Sequence, residues 1–287
     1  MIKCPHCDVS LNLHNNGKLI CHYCGYEQAM VSKCPECGSP YIKAFGTGTQ
    51  KVEELLNKEF PSAKVLRMDA DTTRKKDSYS EILSQFANHE ADILVGTQMI
   101  VKGHDFHKVT LVGILLADMS LYSSDYRSAE VTFQLLSQAA GRAGRGGVKG
   151  DVVIQTYNPE HYAVTCAALH DYEGFYKEEI AFRRLMNYPP SRNMLKIVLS
   201  SEKEEQLLKE TGKVRGELYR LIPDSRDSGT KLFGPSKAEI YRINDIYRMV
   251  FYIKSDDYSF LVGIKDFLSE RETRDKEIGL QFDFNPV

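Results

Sequence analysis

The sequence predicts an α/β protein in three parts: a cysteine-rich module, a middle region built on a parallel sheet, and an α+β region of ferredoxin-like order. Three observations carry this. Six of the 7 cysteines fall as three Cys-x-x-Cys pairs ending at Cys37. Strand and helix patterns then alternate as they do in a covered parallel sheet, and a different alternation follows Pro189-Pro190. The expected domains are 1–40, 41–190 and 191–287.

Within the middle region, Tyr41 to Phe45 reads as a strand. Gly46-Thr47-Gly48 turns into a helix capped by Thr49, with Val52, Leu55, Leu56 and Phe60 on one face. A strand from Lys64 to Met68, a helix from Ser78 to Phe86 and a strand from Asp92 to Val95 follow. Thr110 to Leu116 is an apolar run suited to a central strand buried on both faces. A long helix from Ser128 to Ala140 and a strand from Val152 to Thr156 complete the series. In the last region the order is strand Leu195–Leu199, helix Glu202–Leu221, strand or loop Lys231–Ile240, strand Tyr247–Ile253, helix Tyr258–Leu268 and strand Gly279–Phe284. That is the βαββαβ order of a ferredoxin-like unit.

With 287 residues, 42% hydrophobic and 26% charged, the chain has the composition of a globular protein too long for one core. Its longest apolar stretch, Val109 to Ala117, is interrupted by Thr110 and Gly113 and is too short to cross a bilayer. The start, Met1-Ile2-Lys3-Cys4, carries neither a secretory nor a transit signature, so a cytoplasmic location and no membrane partner are expected. A net charge of −2 offers nucleic acid no long-range attraction, and any phosphate contact must come from local basic clusters.

Cys4-Pro-His-Cys7, Cys21-His-Tyr-Cys24 and Cys34-Pro-Glu-Cys37 are metal knuckles, the first ligand pairs of closed tetrahedral Zn2+ sites of the structural kind. Six thiolates cannot fill two such sites. Spacing favours Cys4, Cys7, Cys21 and Cys24 as the complete one, leaving Cys34 and Cys37 to find ligands in His6, His22 or another segment. Cys166 sits in an apolar helical pattern and reads as an inert packed thiol.

Gln138-Ala-Ala-Gly141-Arg142-Ala-Gly144-Arg145 closes the long helix with two arginines between small residues. Both guanidinium groups can aim at one polyanion because the glycines and alanines allow another surface to approach, which suits a phosphoryl group gaining charge. A solvated basic helix end is the plainer alternative. Upstream, Thr97, Gln98, Lys102, Gly103 and Asp105 form a polar loop after a strand, where open α/β sheets bind ligands.

These two stretches resemble motifs V and VI of the second RecA-like lobe of superfamily 2 helicases. Together with the cysteine pairs and the run from Leu116-Ala-Asp118 through Asp125-Tyr-Arg127-Ser-Ala-Glu130, they resemble the PriA family of bacterial primosomal helicases over nearly the whole chain. The resemblance implies a RecA-like middle region and an ATP-driven 3′ to 5′ DNA helicase that recognises abandoned replication forks and promotes primosome assembly and replication restart. It implies that Arg142 and Arg145 reach the ATP phosphates, Gln138 positions the hydrolytic machinery, and Gly103 and Asp105 couple nucleotide to DNA. Thr97, Gln98 and Lys102 are placed near the DNA backbone, and Arg242 and Arg248 on a C-terminal domain that meets forked and single-stranded DNA and single-strand-binding protein. The family holds two Zn2+ with four cysteine pairs, the inner two sharing one ion and the outer two the other. The mate of Cys34 and Cys37 is then expected ahead of Met1.

No G-x-x-x-x-G-K-[ST] and no D-E-x-H box occur, so ATP and Mg2+ are expected to enter through a first lobe that this chain lacks, leaving it inactive alone. Val131 follows Glu130 where relatives usually carry arginine. The competing class is a zinc-dependent nucleic-acid adaptor that keeps a motor-like fold without ATP turnover. A metabolic enzyme would need an acid, base or nucleophile constellation, and none is evident.

Overall fold

The computed structural model describes residues 2–14, 17–35, 37–41, 48–73, 77–101, 106, 108–144, 147, 149–222, 229–272 and 277–286. The chain forms two compact units, one of Phe45–Ala181 and one that joins Met1–Ala44 to Phe182–Val287. Among the described residues, no helix is long and apolar enough to cross a membrane.

In the first of these units the elements in chain order are α1 (Thr49–Glu59), β4 (Val65–Met68), α2 (Ser78–Ala87), β5 (Ile93–Gly96), β6 (Leu111–Ile114), α3 (Ser128–Ala140), β7 (Asp151–Ile154) and α4 (Tyr162–Ala168). Strands β1 to β3 precede them, and α5 (Tyr172–Met186) runs across the division between the units. Strands β4 and β5 pair in parallel from Val65↔Ile93 to Met68↔Gly96, and β6 and β7 from Leu111↔Asp151 to Ile114↔Ile154. Met68, Leu83 and Phe106 form the core beneath β4 and β5. A second core gathers Phe133, Leu136, Val164 and Phe175, with Phe133 and Phe175 stacked at 4.2 Å. Helix α3 supplies it because Ala129, Thr132, Phe133, Leu136 and Ala140 recur at helical spacing and share a face.

Three details depart from the sequence expectation. Strand β6 is covered on one side only: Ile114 and Ile154 face the α3–α4 core, while Leu111 is 61% and Val153 59% exposed. The cause is that, among the described residues, α3 and α4 pack on a single face of the β6–β7 ladder. Thr49 does not cap α1. Gly48 takes the N-cap without a side-chain bond, and the Thr49 hydroxyl donates instead to Asp69 Oδ2. Of the four apolar residues expected on one face of α1, Val52 and Leu56 are half-buried, and Leu55 and Phe60 face solvent, so the apolar inward stripe is one i,i+4 pair. The residue 41–45 strand falls mostly outside the described residues.

The other unit begins with β1 (Asn12–Leu13), β2 (Lys18–Ile20) and β3 (Glu27–Ala29), a three-stranded antiparallel sheet. It resumes with β8 (Asn193–Ser201), α6 (Glu204–Leu221), β9 (Thr230–Ile243), β10 (Ile246–Ser255), α7 (Tyr258–Glu272) and β11 (Gly279–Phe284). The strand order is β11-β8-β10-β9, every neighbour antiparallel. Two split βαβ crossovers thus interleave, which is the ferredoxin-like arrangement. Alternation in β8 and β10 sends Leu195, Ile197, Leu199, Met249, Phe251 and Ile253 into the core with Leu207, Val214 and Leu218 of α6 and Leu261, Ile264 and Leu268 of α7. The region left open as strand or loop is a 14-residue strand, bulged twice against β10. Gly234 permits this: its φ is +104°, and a Cβ there would lie 2.8 Å from the Val250 carbonyl oxygen.

Candidate metal centre and motor-lobe loops

Cys4 and Cys7 lie on one turn and Cys21 and Cys24 on a second, and their four Sγ atoms all fall within 4.8 Å of one another. The Cys4 and Cys24 sulfurs are 3.5 Å apart. Zn–S bonds of about 2.3 Å in a tetrahedron require sulfurs about 3.8 Å apart, so this donor set fits one four-coordinate Zn2+. The knuckles shape themselves through the Cys4 N–H donating to Val9, the Cys21 N–H to Tyr26, and the Gly25 N–H to Cys21, Gly25 standing at φ +77°. Burial pushes the Cys4 thiol up, and the Cys7 thiol up to about 12. At Cys21 burial also raises the value, but the N–H groups of Cys24 and Tyr23 and the Cys24 and Cys4 thiols outweigh it, bringing it down to about 7. The four thiols can all be ionised together only with a cation among them, which would hold the fold and leave no open position for chemistry. Leu11 and Leu19 complete the small core around the sulfurs.

Cys34 and Cys37 stand outside the cluster, half-buried and exposed, although the Gly38 N–H to Cys34 O bond gives their turn the same knuckle form. His6 and His22 are not part of the four-cysteine cluster: the first pairs with Asp245 and the second packs against His14. Cys166, on α4, packs at the edge of the α3–α4 core with its thiol raised by burial, as an inert thiol should.

In the middle unit, Thr97 and Gln98 sit exposed at the carboxyl end of β5, where the chain turns through a short 3-10 helix, Gln98–Ile100. Gly96 makes the turn possible. A Cβ there would come within 2.6 Å of both the Met68 carbonyl oxygen and Ile100 Cγ2. Beside it, at the end of β4, Asp69 accepts from the N–H groups of Asp71 (2.9 Å) and Thr72 (3.0 Å) and from the Thr49 hydroxyl. Burial raises the Asp69 carboxyl, but these donors and Arg67 outweigh it and hold it below the usual carboxylate range.

Gln138 is exposed near the end of α3, and four residues on the half-buried Arg142 donates through one terminal nitrogen to the Val101 carbonyl at 2.7 Å. The helix end and the loop after β5 are thereby joined. The small residues expected to admit another surface admit the chain itself: a Cβ on Gly150 would lie 2.1 Å from the Gly144 nitrogen, and the Gly144 N–H donates to Val109 O at 3.0 Å. Lys102, Gly103, Asp105 and Arg145 lie outside the described residues.

Asp118, 2% exposed, lies past the opposite end of β6 and ties the chain there to the residues that follow β7. It accepts from the Thr156 hydroxyl, from Tyr157 N–H at 2.7 Å and from Asn158 N–H at 3.3 Å, and these bonds hold its carboxyl below the usual range. Arg127, at the N-cap of α3, makes a two-pronged bond to Asp125 at 3.1 and 2.7 Å. Sequence reasoning passed over Gly96, Val101 and Asp69, whose importance is a matter of what lies opposite them in space.

In the other unit, Arg242 donates to Pro5 O at 2.8 Å, and Arg248 to Ile240 O at 2.6 Å. Arg248 also borders a cavity of about 510 Å³ with Lys196, Val198, Val250, Gln281 and Asp283, on the sheet face away from the core.

Three family models match the chain in succession: the PriA DNA helicase Cys-rich region domain at residues 4–28, the helicase conserved C-terminal domain at 40–147 and the primosomal protein N C-terminal domain at 184–287. The replication restart protein PriA of Bacillus subtilis is 45% identical over 99% of this chain and 35% of its own length. The chain belongs to the PriA family. The PriA proteins of Synechocystis (40% identity, 100% of this chain, 34% of theirs) and Borreliella burgdorferi (35%, 100% and 43%) extend the match. The chain thus spans about a third of the length of the first two PriA relatives. The Cys-rich match encloses all four clustered cysteines. Among solved structures, the de novo designed protein Foldit4 overlaps 32% of the chain at 14% identity and a TM-score of 0.25, too slight a likeness to bear on the fold.

Proposed function

We propose that this chain contributes the zinc module, the second motor lobe and the C-terminal domain of an ATP-driven 3′ to 5′ DNA helicase that acts on abandoned replication forks in the bacterial cytoplasm and restarts replication. The division of labour follows residues 1–40, 41–190 and 191–287. The observation that carries the reading is the Arg142 to Val101 bond, which ties the arginine-bearing helix end to the loop that leads into Lys102, Gly103 and Asp105. Such a joint lets a change at a phosphate move a DNA-facing loop. In this reading ATP and Mg2+ are gripped by a first lobe beyond this chain. Arg142 and Arg145 meet the phosphates, Gln138 positions the hydrolytic machinery, and Gly103 and Asp105 couple the two sites.

Thr97, Gln98 and Lys102 face the DNA backbone. Separately, in the other unit, Arg242 and Arg248 contribute to a C-terminal surface for forked and single-stranded DNA, although part of each guanidinium already serves a carbonyl. Single-strand-binding protein and other primosome proteins are the protein partners.

The test is DNA-stimulated ATP hydrolysis by the intact parent protein, comparing the original with Arg145→Ala at equal DNA occupancy. Loss of turnover with binding preserved is the expected result; unchanged turnover removes the arginine from the chemistry.

A further inference from the structure

The first knuckle and the β9–β10 hairpin, more than 230 residues apart in sequence, meet through a ladder of short bonds. The Asp8 N–H donates to Arg242 O at 2.8 Å, and the Asp245 N–H to His6 O at 2.9 Å. Arg242 donates to Pro5 O at 2.8 Å, and His6 Nδ1 lies 2.7 Å from Asp245 Oδ2. In the middle of this ladder the Asn244 N–H donates to the Cys7 sulfur at 3.2 Å. Ile243 packs on the core that surrounds the thiols.

The hairpin turn is built to present that N–H. Asn244 and Asp245 stand at φ 51° and 63°, both left-handed, as a two-residue turn of the I′ kind requires, and Asn and Asp tolerate that conformation better than other side chains. Cys4 receives its N–H from inside its own knuckle, from His6 at 3.4 Å. Among the bonds described for it, Cys7 receives its backbone donor from the hairpin. Backbone donors to a ligating thiolate spread its charge and fix its orientation, and loss of such an outer support typically costs about 10- to 100-fold in metal affinity.

We propose that the Asn244 turn is a positioning element of the metal centre, so that filling Cys4, Cys7, Cys21 and Cys24 with Zn2+ and ordering the tip of the C-terminal sheet are one coupled equilibrium. The inference rests on reading those four cysteines as a metal centre. Whatever binds the folded hairpin and not the open one tightens metal, and metal in turn holds the hairpin shut.

The test uses the full chain loaded with NMR-active cadmium in place of zinc. A scalar correlation between the metal and the Asn244 amide proton is expected, together with amide exchange at Asn244 and Asp245 that speeds at least about tenfold when the metal is stripped. Asn244→Pro, which deletes the N–H, should weaken zinc in a chelator competition by about 10- to 100-fold. Asn244→Gly, which keeps the N–H and the left-handed backbone, should retain the cadmium correlation.

If Asn244→Pro also disturbs the sheet, the correlation in the unsubstituted chain decides. Cadmium held by four thiolates with no correlation to Asn244 would overturn the inference and leave the metal centre standing. Failure to bind cadmium at all would remove both.

Discussion

The Arg142 guanidinium reaches back 41 residues to the Val101 carbonyl, closing a 2.7 Å bond between the end of α3 and the loop that follows β5. In the proposed reading, a planar fork serves a carbonyl on one side and a phosphate on the other. Arg142→Lys keeps the charge and loses the fork. In the intact parent protein it should lower DNA-stimulated ATP turnover by at least about 10²-fold with DNA affinity within a few-fold of the original, measured by steady-state hydrolysis beside fluorescence anisotropy. Equal losses in both would mean that the residue only holds the lobe together.

Gly96 gives a second, sterically sharper test. A methyl group there has two obstacles at 2.6 Å, one of them a backbone oxygen that cannot swing away. Gly96→Ala should therefore destabilise the middle unit by about 1–3 kcal/mol in urea unfolding, and displace Thr97 and Gln98 with it. A variant as stable as the original would show that the β4–β5 approach has slack.

Metal content separates the three cysteine pairs. Cys21→Ser should abolish tightly bound zinc, while Cys37→Ser should leave it unchanged, because only the first two pairs converge. Elemental analysis of protein purified without chelator reads this directly. Zinc surviving Cys21→Ser would relocate the site.

Asp118 predicts a pH dependence with a definite sign. Its carboxyl is held low in the folded chain, so its contribution to stability is complete above the ordinary carboxylate value and is lost as pH falls through the folded value, below that. The amide of Tyr157, which it receives at 2.7 Å, should lose exchange protection across that acid window. In Asp118→Asn the same amide should be less protected at neutral pH and show no such transition.

Much of this architecture is legible in sequence because its signals are local. Period-3.6 burial marks α3, and period-2 burial marks β8. The two cysteine turns announce their own ligands. What stayed hidden depends on partners far along the chain. The Thr110–Leu116 run cannot say which helices will pack on its two faces, and so β6 reads as covered on both faces when one is open. Thr49 is the right residue type for a cap, yet its hydroxyl is taken by Asp69, 20 residues on. Helix α5 went unread because charged residues such as Glu178, Glu179, Arg183 and Arg184 dilute its apolar stripe. Asn244-Asp245 is legible, since two such residues between strands are the signature of a tight hairpin, but the strand expected to end at Ile240 stops short of it.

The separation of Cys7 from Asn244, 237 residues, also sets a schedule for synthesis. At about 5–20 residues per second, a ribosome makes the first knuckle roughly 10 to 50 s before it makes the turn that closes over it. For that interval the thiols are in the cell without their covering strand, open to oxidants and to whichever soft metal arrives first. The nascent chain passes this period of exposure before the hairpin that covers Cys7 exists. How much correctly metallated protein a cell recovers should then depend on the speed of translation through the later codons as well as on zinc supply.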